Sequence, residues 1–197
     1  AFAEAPSPGD WRMASTGHVT ATLGGGRWNA EGSIDVSGLS LPVGEGRVVL
    51  PRAVIGFSVE RDGEDAPLTI RFARLSSPGL NLRLDGSVMP AEEAGDVAAY
   101  DMHIEAEISW VALLQSVPKL AAQFGPVENL AGEATVNLRL AGDDRGPRGS
   151  LAIDLSDTGL RWADLVAKPP GWACRLEVKG RAGPQPEVLE ITEVESD

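Results

Sequence analysis

Four short segments of this chain repeat one pattern, apolar-x-apolar-x-Gly: Ile34 to Gly38, Leu82 to Gly86, Leu138 to Gly142 and Leu176 to Gly180. Alternation with a period of two gives each copy one apolar and one wet face, the mark of a half-buried strand. Each glycine falls on the apolar phase, where it signals a bend or a close approach to the backbone. A succession of such strands makes a sheet with one apolar face, which must be covered by something.

The rest of the chain reads the same way. Strands are predicted at Trp11 to Leu23, Arg27 to Val36, Arg47 to Leu50, Val54 to Arg61, Leu68 to Leu75 and Leu80 to Val88. Gly24-Gly25-Gly26, Pro51, Asp62-Gly63 and Pro78-Gly79 punctuate them as turns. Further strands are expected through Met102, Ile104, Ala106 and Ile108, and at Gly132 to Leu140, Ser150 to Leu155, Trp172 to Ala182 and Val188 to Val194, with a short turn or helix near Trp162 to Val166. One helix is expected over 109–124. Trp110, Leu113, Leu114, Val117, Leu120, Ala121 and Phe124 recur there at helical spacing behind Ser109 as N-cap, Pro118 kinks it and Gly125-Pro126 ends it.

The fold class is therefore mainly β. The chain is expected to form a long antiparallel, strongly curved meander sheet, an open groove or half-barrel, with one or two short covering helices. A small acidic loop, 91–99, separates an N-terminal half, 1–90, from a C-terminal half, 100–197, within one continuous β domain. Ser33 to Leu39 resembles Ala152 to Leu160, which suggests a duplication. The chain begins without Met and stops in an acidic stretch, so it reads as a fragment of something longer.

Chemistry is hard to find. His18 and His103 fall on polar strand faces without metal-ligand neighbours, and no nucleophile elbow, Walker loop or dinucleotide fingerprint occurs. Glu105 with Glu107, and Asp143 with Asp144, are explained by a wet strand face and a charged hairpin. The five tryptophans (Trp11, Trp28, Trp110, Trp162, Trp172) form no sugar-stacking stripe, and Trp28 and Trp110 are in phase with apolar neighbours. The lone Cys174 reads as a small buried hydrophobe. No enzyme, cofactor or metal is expected. A net charge of -12 excludes nucleic acid as a partner and disfavours electrostatic docking on anionic headgroups, so any lipid contact is through acyl chains.

Glycine-ended amphipathic strands in long succession, such as Leu80 to Val88 and Leu176 to Ala182, with a short helix after a strand and Lys168-Pro169-Pro170-Gly171 leading into a new strand, resemble the AsmA/TamB-like proteins of the Gram-negative envelope. The resemblance implies a curved β-groove with an apolar concave face in the periplasm. It also implies phospholipid transport or outer-membrane homeostasis, and an inner-membrane anchor in a segment absent from this chain. Acyl chains, and possible envelope proteins, are the partners it implies. The residues expected to line the apolar interior are Ile34, Val36, Leu82, Leu84, Val136, Leu138, Leu176 and Val178. The alternative is a closed β-sandwich or barrel, an adhesion, scaffold or carbohydrate-binding module in which the same residues form a core.

Overall fold

The computed structural model describes residues 14–43, 46–63, 65–89, 99–117, 127–143, 146–162, 166–182 and 189–196. Their order is β1 (Ala14–Gly24), β2 (Arg27–Val43), β3 (Gly46–Asp62), β4 (Leu68–Ser77), β5 (Leu80–Val88), β6 (Tyr100–Ser109), α1 (Trp110–Ser116), β7 (Val127–Asp143), β8 (Gly146–Asp154), β9 (Thr158–Trp162), β10 (Val166–Lys168), β11 (Arg175–Ala182) and β12 (Leu189–Ser196). The sheet runs β1, β2, β3, β4, β5, β6, β7, β8, β11, β12, with β9 on β7 and β10 on β9.

The step from β8 to β11 is not a crossover. Asp154 lies opposite Thr135 and Thr158 opposite Gly132, so β8 and β9 follow one another along the same edge of β7. β10 pairs β9 and β11 pairs β8, which makes β8 to β11 a single long hairpin broken in both arms. The break is stitched by Leu155 N to Cys174 O (2.8 Å), Gly171 N to Ser156 O (2.8 Å) and Lys168 Nζ to Thr158 O (2.8 Å). Order along the chain is thus order across the sheet, as a meander requires. The interior of the expected turn or helix near Trp162 to Val166, 163–165, lies outside the described residues, and its two ends pair with each other as the last residue of β9 and the first of β10.

Most of the acidic segment 91–99 lies outside the described residues. The strands flanking it, β5 and β6, pair from Leu80 opposite Ile108 to Val88 opposite Tyr100, so the sheet passes from one half of the chain to the other without a break. Trp11 also lies outside, and the first strand is described from Ala14. Trp172 belongs to a turn, and the strand after it begins at Arg175.

Pro51 is not a turn. It sits inside β3, where the ladder with β2 pauses between Ser37 opposite Arg52 and Leu39 opposite Leu50. Proline has no N–H to offer the ladder, and facing it Gly38 takes a left-handed φ of 67°. Both strands slip by one residue there, which keeps Val36 and Leu39, and Ala53 and Leu50, buried on the same side of the arm.

Other slips bend the sheet. In β4 Ile70 lies opposite Gly86 but Ala73 opposite Leu84, so Arg71 and Phe72 form a bulge against Asp85. Shifts also occur between Glu128 and Ala131 on β7, where Asn129 has φ 54°, and between Lys179 and Gly180 on the pairing with β12. Bulges sharpen local twist and curl a sheet toward one face. Among the described residues β1 and β12 each pair on one side only, so the curved sheet is open. The closed sandwich or barrel is therefore not the fold.

The helix α1 packs on the apolar face at one end of the sheet. Its Leu113, with Val117 just beyond it, joins Val36, Leu39, Leu50 and Ala53 in a buried cluster, with Ile34, Ile55, Leu75, Leu80, Ile108 and Trp110 packed around it. A seven-residue helix is too short to hold itself. The expected cap is absent: the Ser109 side chain makes no capping hydrogen bond, and its N–H instead donates to Gly79 O at 2.9 Å. Ser116 Oγ donates to Pro78 O at 3.2 Å. The β4–β5 turn and α1 are in such close contact that a Cβ on Gly79, whose φ is 76°, would collide with the Leu113 backbone. The expected continuation of the helix over 118–124 lies outside the described residues.

Candidate functional site

Directly opposed residues of antiparallel strands share a face. Following the register from strand to strand therefore traces what the apolar face is made of. One row runs Ile34, Ile55, Leu75, Leu82, Ala106, Val136, Ile153, Leu176, from β2 to β11 without a polar residue. The next, one pleat away, runs Gly32, Phe57, Ala73, Leu84, Ile104, Leu138, Leu151, Val178. At about 4.8 Å per strand step these rows extend for about 34 Å across the sheet.

Seven of the eight residues expected to line an apolar interior fall on these two rows. Ile34, Leu82, Val136 and Leu176 share the first, and Leu84, Leu138 and Val178 the second. Val36 lies one row toward α1, opposite Ala53, and is buried beneath the helix at 1% exposure. Ile55, Phe57, Leu75, Ile104, Leu151 and Ile153 belong to the same surface but do not end in glycine. The signal that finds them is cross-strand register, which a single segment of sequence does not contain.

Little of these rows is fully buried. Apart from Ala106, their side chains are only partly buried, and Leu176 reaches 39% exposure. On the flanking row Leu140 is 38% exposed, and on β1 Val19 and Leu23 reach 56% and 80%. Buried hydrophobic residues cluster instead under α1. Away from the helix the face leaves apolar side chains partly exposed.

The glycines of the repeat have separate uses. Gly86 has φ 153°, and a Cβ there would strike Asp101 O and come within 2.8 Å of Met102 Cα. Gly142 lies under the Tyr100 ring, which occupies the space of a side chain. Gly86, Gly149 and Gly180 share one row with Met102 and Leu140. Here the face is thinned on the side away from α1. Gly38, on a strand running the other way, serves the bend at the helix end instead.

The wet face holds paired charges. Arg71, pushed out by its bulge, meets Glu60 at 2.6 Å, and its hydrogen bond holds the Glu60 carboxyl below the usual range. Asp143 accepts from Arg148 at 2.7 Å. The carboxyl of Asp154 is lowered by the Ser156 backbone N–H, which donates to it at 2.8 Å. Glu105 lies opposite Arg83, and with Glu107, Arg74, Ser76 and Asn81 it lines a shallow trough. His18 is exposed, and His103 stands 3.7 Å from Asp85 Oδ1. Cys174 is a half-buried free thiol. No group of His, Cys, Asp and Glu able to hold a metal occurs among the described residues. No described helix is long and apolar enough to cross a membrane.

One polar link fixes the helix to the sheet. Trp110 Nε1 donates to Thr158 Oγ1 at 3.0 Å, and that hydroxyl donates to Glu133 O at 2.6 Å. Thr158 is completely buried, so both bonds are sheltered from water. Thr158→Val keeps the shape and removes both. Chemical denaturation is expected to show a loss of about 1–3 kcal/mol, with an unchanged far-UV spectrum.

No family model, curated protein or solved structure matches this chain.

Proposed function

We propose that this chain is a lipid-binding segment of an AsmA/TamB-like envelope protein, whose apolar face holds phospholipid acyl chains during transfer between bacterial membranes. The observation behind this reading is the pair of apolar rows on an open sheet, partly exposed apart from Ala106. A surface of that kind gains about 0.8 kcal/mol for each methylene it shields from water, and it needs no specific headgroup contact. Binding is therefore expected to be selective for chain length and weakly selective for headgroup. The wet face, with its paired charges, keeps the outside of the sheet soluble in the periplasm. No catalytic role is assigned to any residue.

A photo-crosslinker separates the faces. Leu84→p-benzoylphenylalanine places the probe on the second row, and Asp85→p-benzoylphenylalanine places it one residue away on the wet face. After irradiation in bacterial cells, phospholipid adducts are expected at position 84 and not at position 85. Equal labelling at both positions, or none at 84, contradicts the proposal.

A further inference from the structure

Natural edge strands are shielded by charges, prolines or bulges that discourage pairing with another chain. The β1 edge has none of these. Its 11 residues, Ala-Ser-Thr-Gly-His-Val-Thr-Ala-Thr-Leu-Gly, include no Asp, Glu, Lys, Arg or Pro. Its register on β2 runs from Ala14 opposite Ser37 to Gly24 opposite Arg27 without a slip. Every residue from Ser15 to Gly24 is exposed, and no described residue pairs with the outer side of the strand. The opposite edge differs: β12 carries Glu190, Glu193 and Glu195, and its pairing with β11 is bulged.

We infer that β1 is a dimerisation edge, pairing antiparallel with β1 of a second copy of this chain about a two-fold axis at Val19. The occupant follows from charge and register. In a chain of net charge -12, β1 is a long strand on which two copies meet with no like charges opposed, whereas two β12 edges would bring glutamates together. With the axis at Val19, Thr16 faces Thr22, His18 faces Thr20, Gly17 faces Ala21, and Val19 faces itself. Threonines and His18 meet on one face, Gly17, Val19 and Ala21 on the other, and only toward the ends does Ser15 face Leu23. Both sheets then join with their apolar faces on the same side, which doubles the exposed aliphatic surface. The isologous contact uses up both β1 edges, so assembly stops at two. This inference goes beyond the acyl-chain proposal and does not rest on it.

The test is sedimentation equilibrium of the whole chain across a concentration series, with two charge variants at exposed positions. Thr16→Lys with Thr22→Lys opposes lysines twice across the axis and is expected to weaken the dimer by about ten- to thirtyfold. Thr16→Glu with Thr22→Lys opposes unlike charges and is expected to retain it. In a Cys174→Ser background, Val19→Cys puts two thiols directly opposite, about 4.5–5.5 Å apart at Cα and within disulfide reach. Air oxidation should then give a covalent dimer, while Leu23→Cys, opposite Ser15, should not. A monomer throughout, showing that residues 1–13, another protein or nothing covers this edge, overturns the inference. So does a dimer indifferent to the lysines, or one that grows beyond two.

Discussion

Leu138→Glu is expected to yield a folded protein that no longer takes up phospholipid. Leu138 sits midway along the second aliphatic row, between Ile104 and Leu151, and is only partly buried. A glutamate there can turn its carboxylate toward solvent from the partly exposed face and stay hydrated, so folding loses about 1–2 kcal/mol and not the several of a buried charge. An acyl chain lying on the row would lose the contact of one leucine, about 1.5–3 kcal/mol, or roughly ten- to a hundredfold in affinity. Transfer of fluorescent phospholipid from vesicles measures the affinity, and thermal melting measures the fold. Leu138→Met, which keeps volume and apolarity, is expected to match the native protein in both. An unfolded Leu138→Glu would mean that the row is a core.

Leu113→Ala should do the reverse. Leu113 is 6% exposed and ties α1 to Val36, Leu39, Leu50 and Ala53 across the mouth of the sheet. The helix has no capping side chain, no acidic residue in its first turn and no basic residue in its last, so its position depends on this packing. Removing the buried isobutyl group is expected to cost about 2.5–4 kcal/mol and to lower the melting temperature by about 6–15 °C. Lipid uptake by the protein that remains folded should change little, because the row through Leu84 and Leu138 runs clear of the helix, and of the first row only Ile34, Ile55 and Leu75 pack against its cluster. The two variants thus separate the small core from the exposed face.

Much of this architecture is legible in the alternation of single strands. Leu80 to Val88 states both its faces outright, and the glycine ending two copies of the repeat, Gly86 and Gly180, falls where the apolar face thins. What escapes reading is phase slip. Where Gly38 meets Pro51, the alternation jumps by one residue in both strands, and a jump beside a proline looks like the end of a strand. The Arg71–Phe72 bulge is the same event inside β4, and it needs the partner strand to be recognised. β9 and β10 are too short for a period of two to declare itself, and they exist because β7 offers them an edge. The Trp110–Thr158 link joins residues 48 apart and leaves no local trace. The surface itself is intermediate: each strand shows which of its faces is apolar, and only register shows that eight strands align those faces into continuous rows.

The central claim is that this face is filled by acyl chains. Native mass spectrometry of the chain purified from a Gram-negative host, followed by solvent extraction of the bound material, tests it most directly. Reproducible mass increments that resolve into phospholipid, and that are lost in Leu138→Glu but kept in Leu113→Ala, are the expected result. A folded protein that emerges lipid-free and stays so when incubated with vesicles would contradict the account.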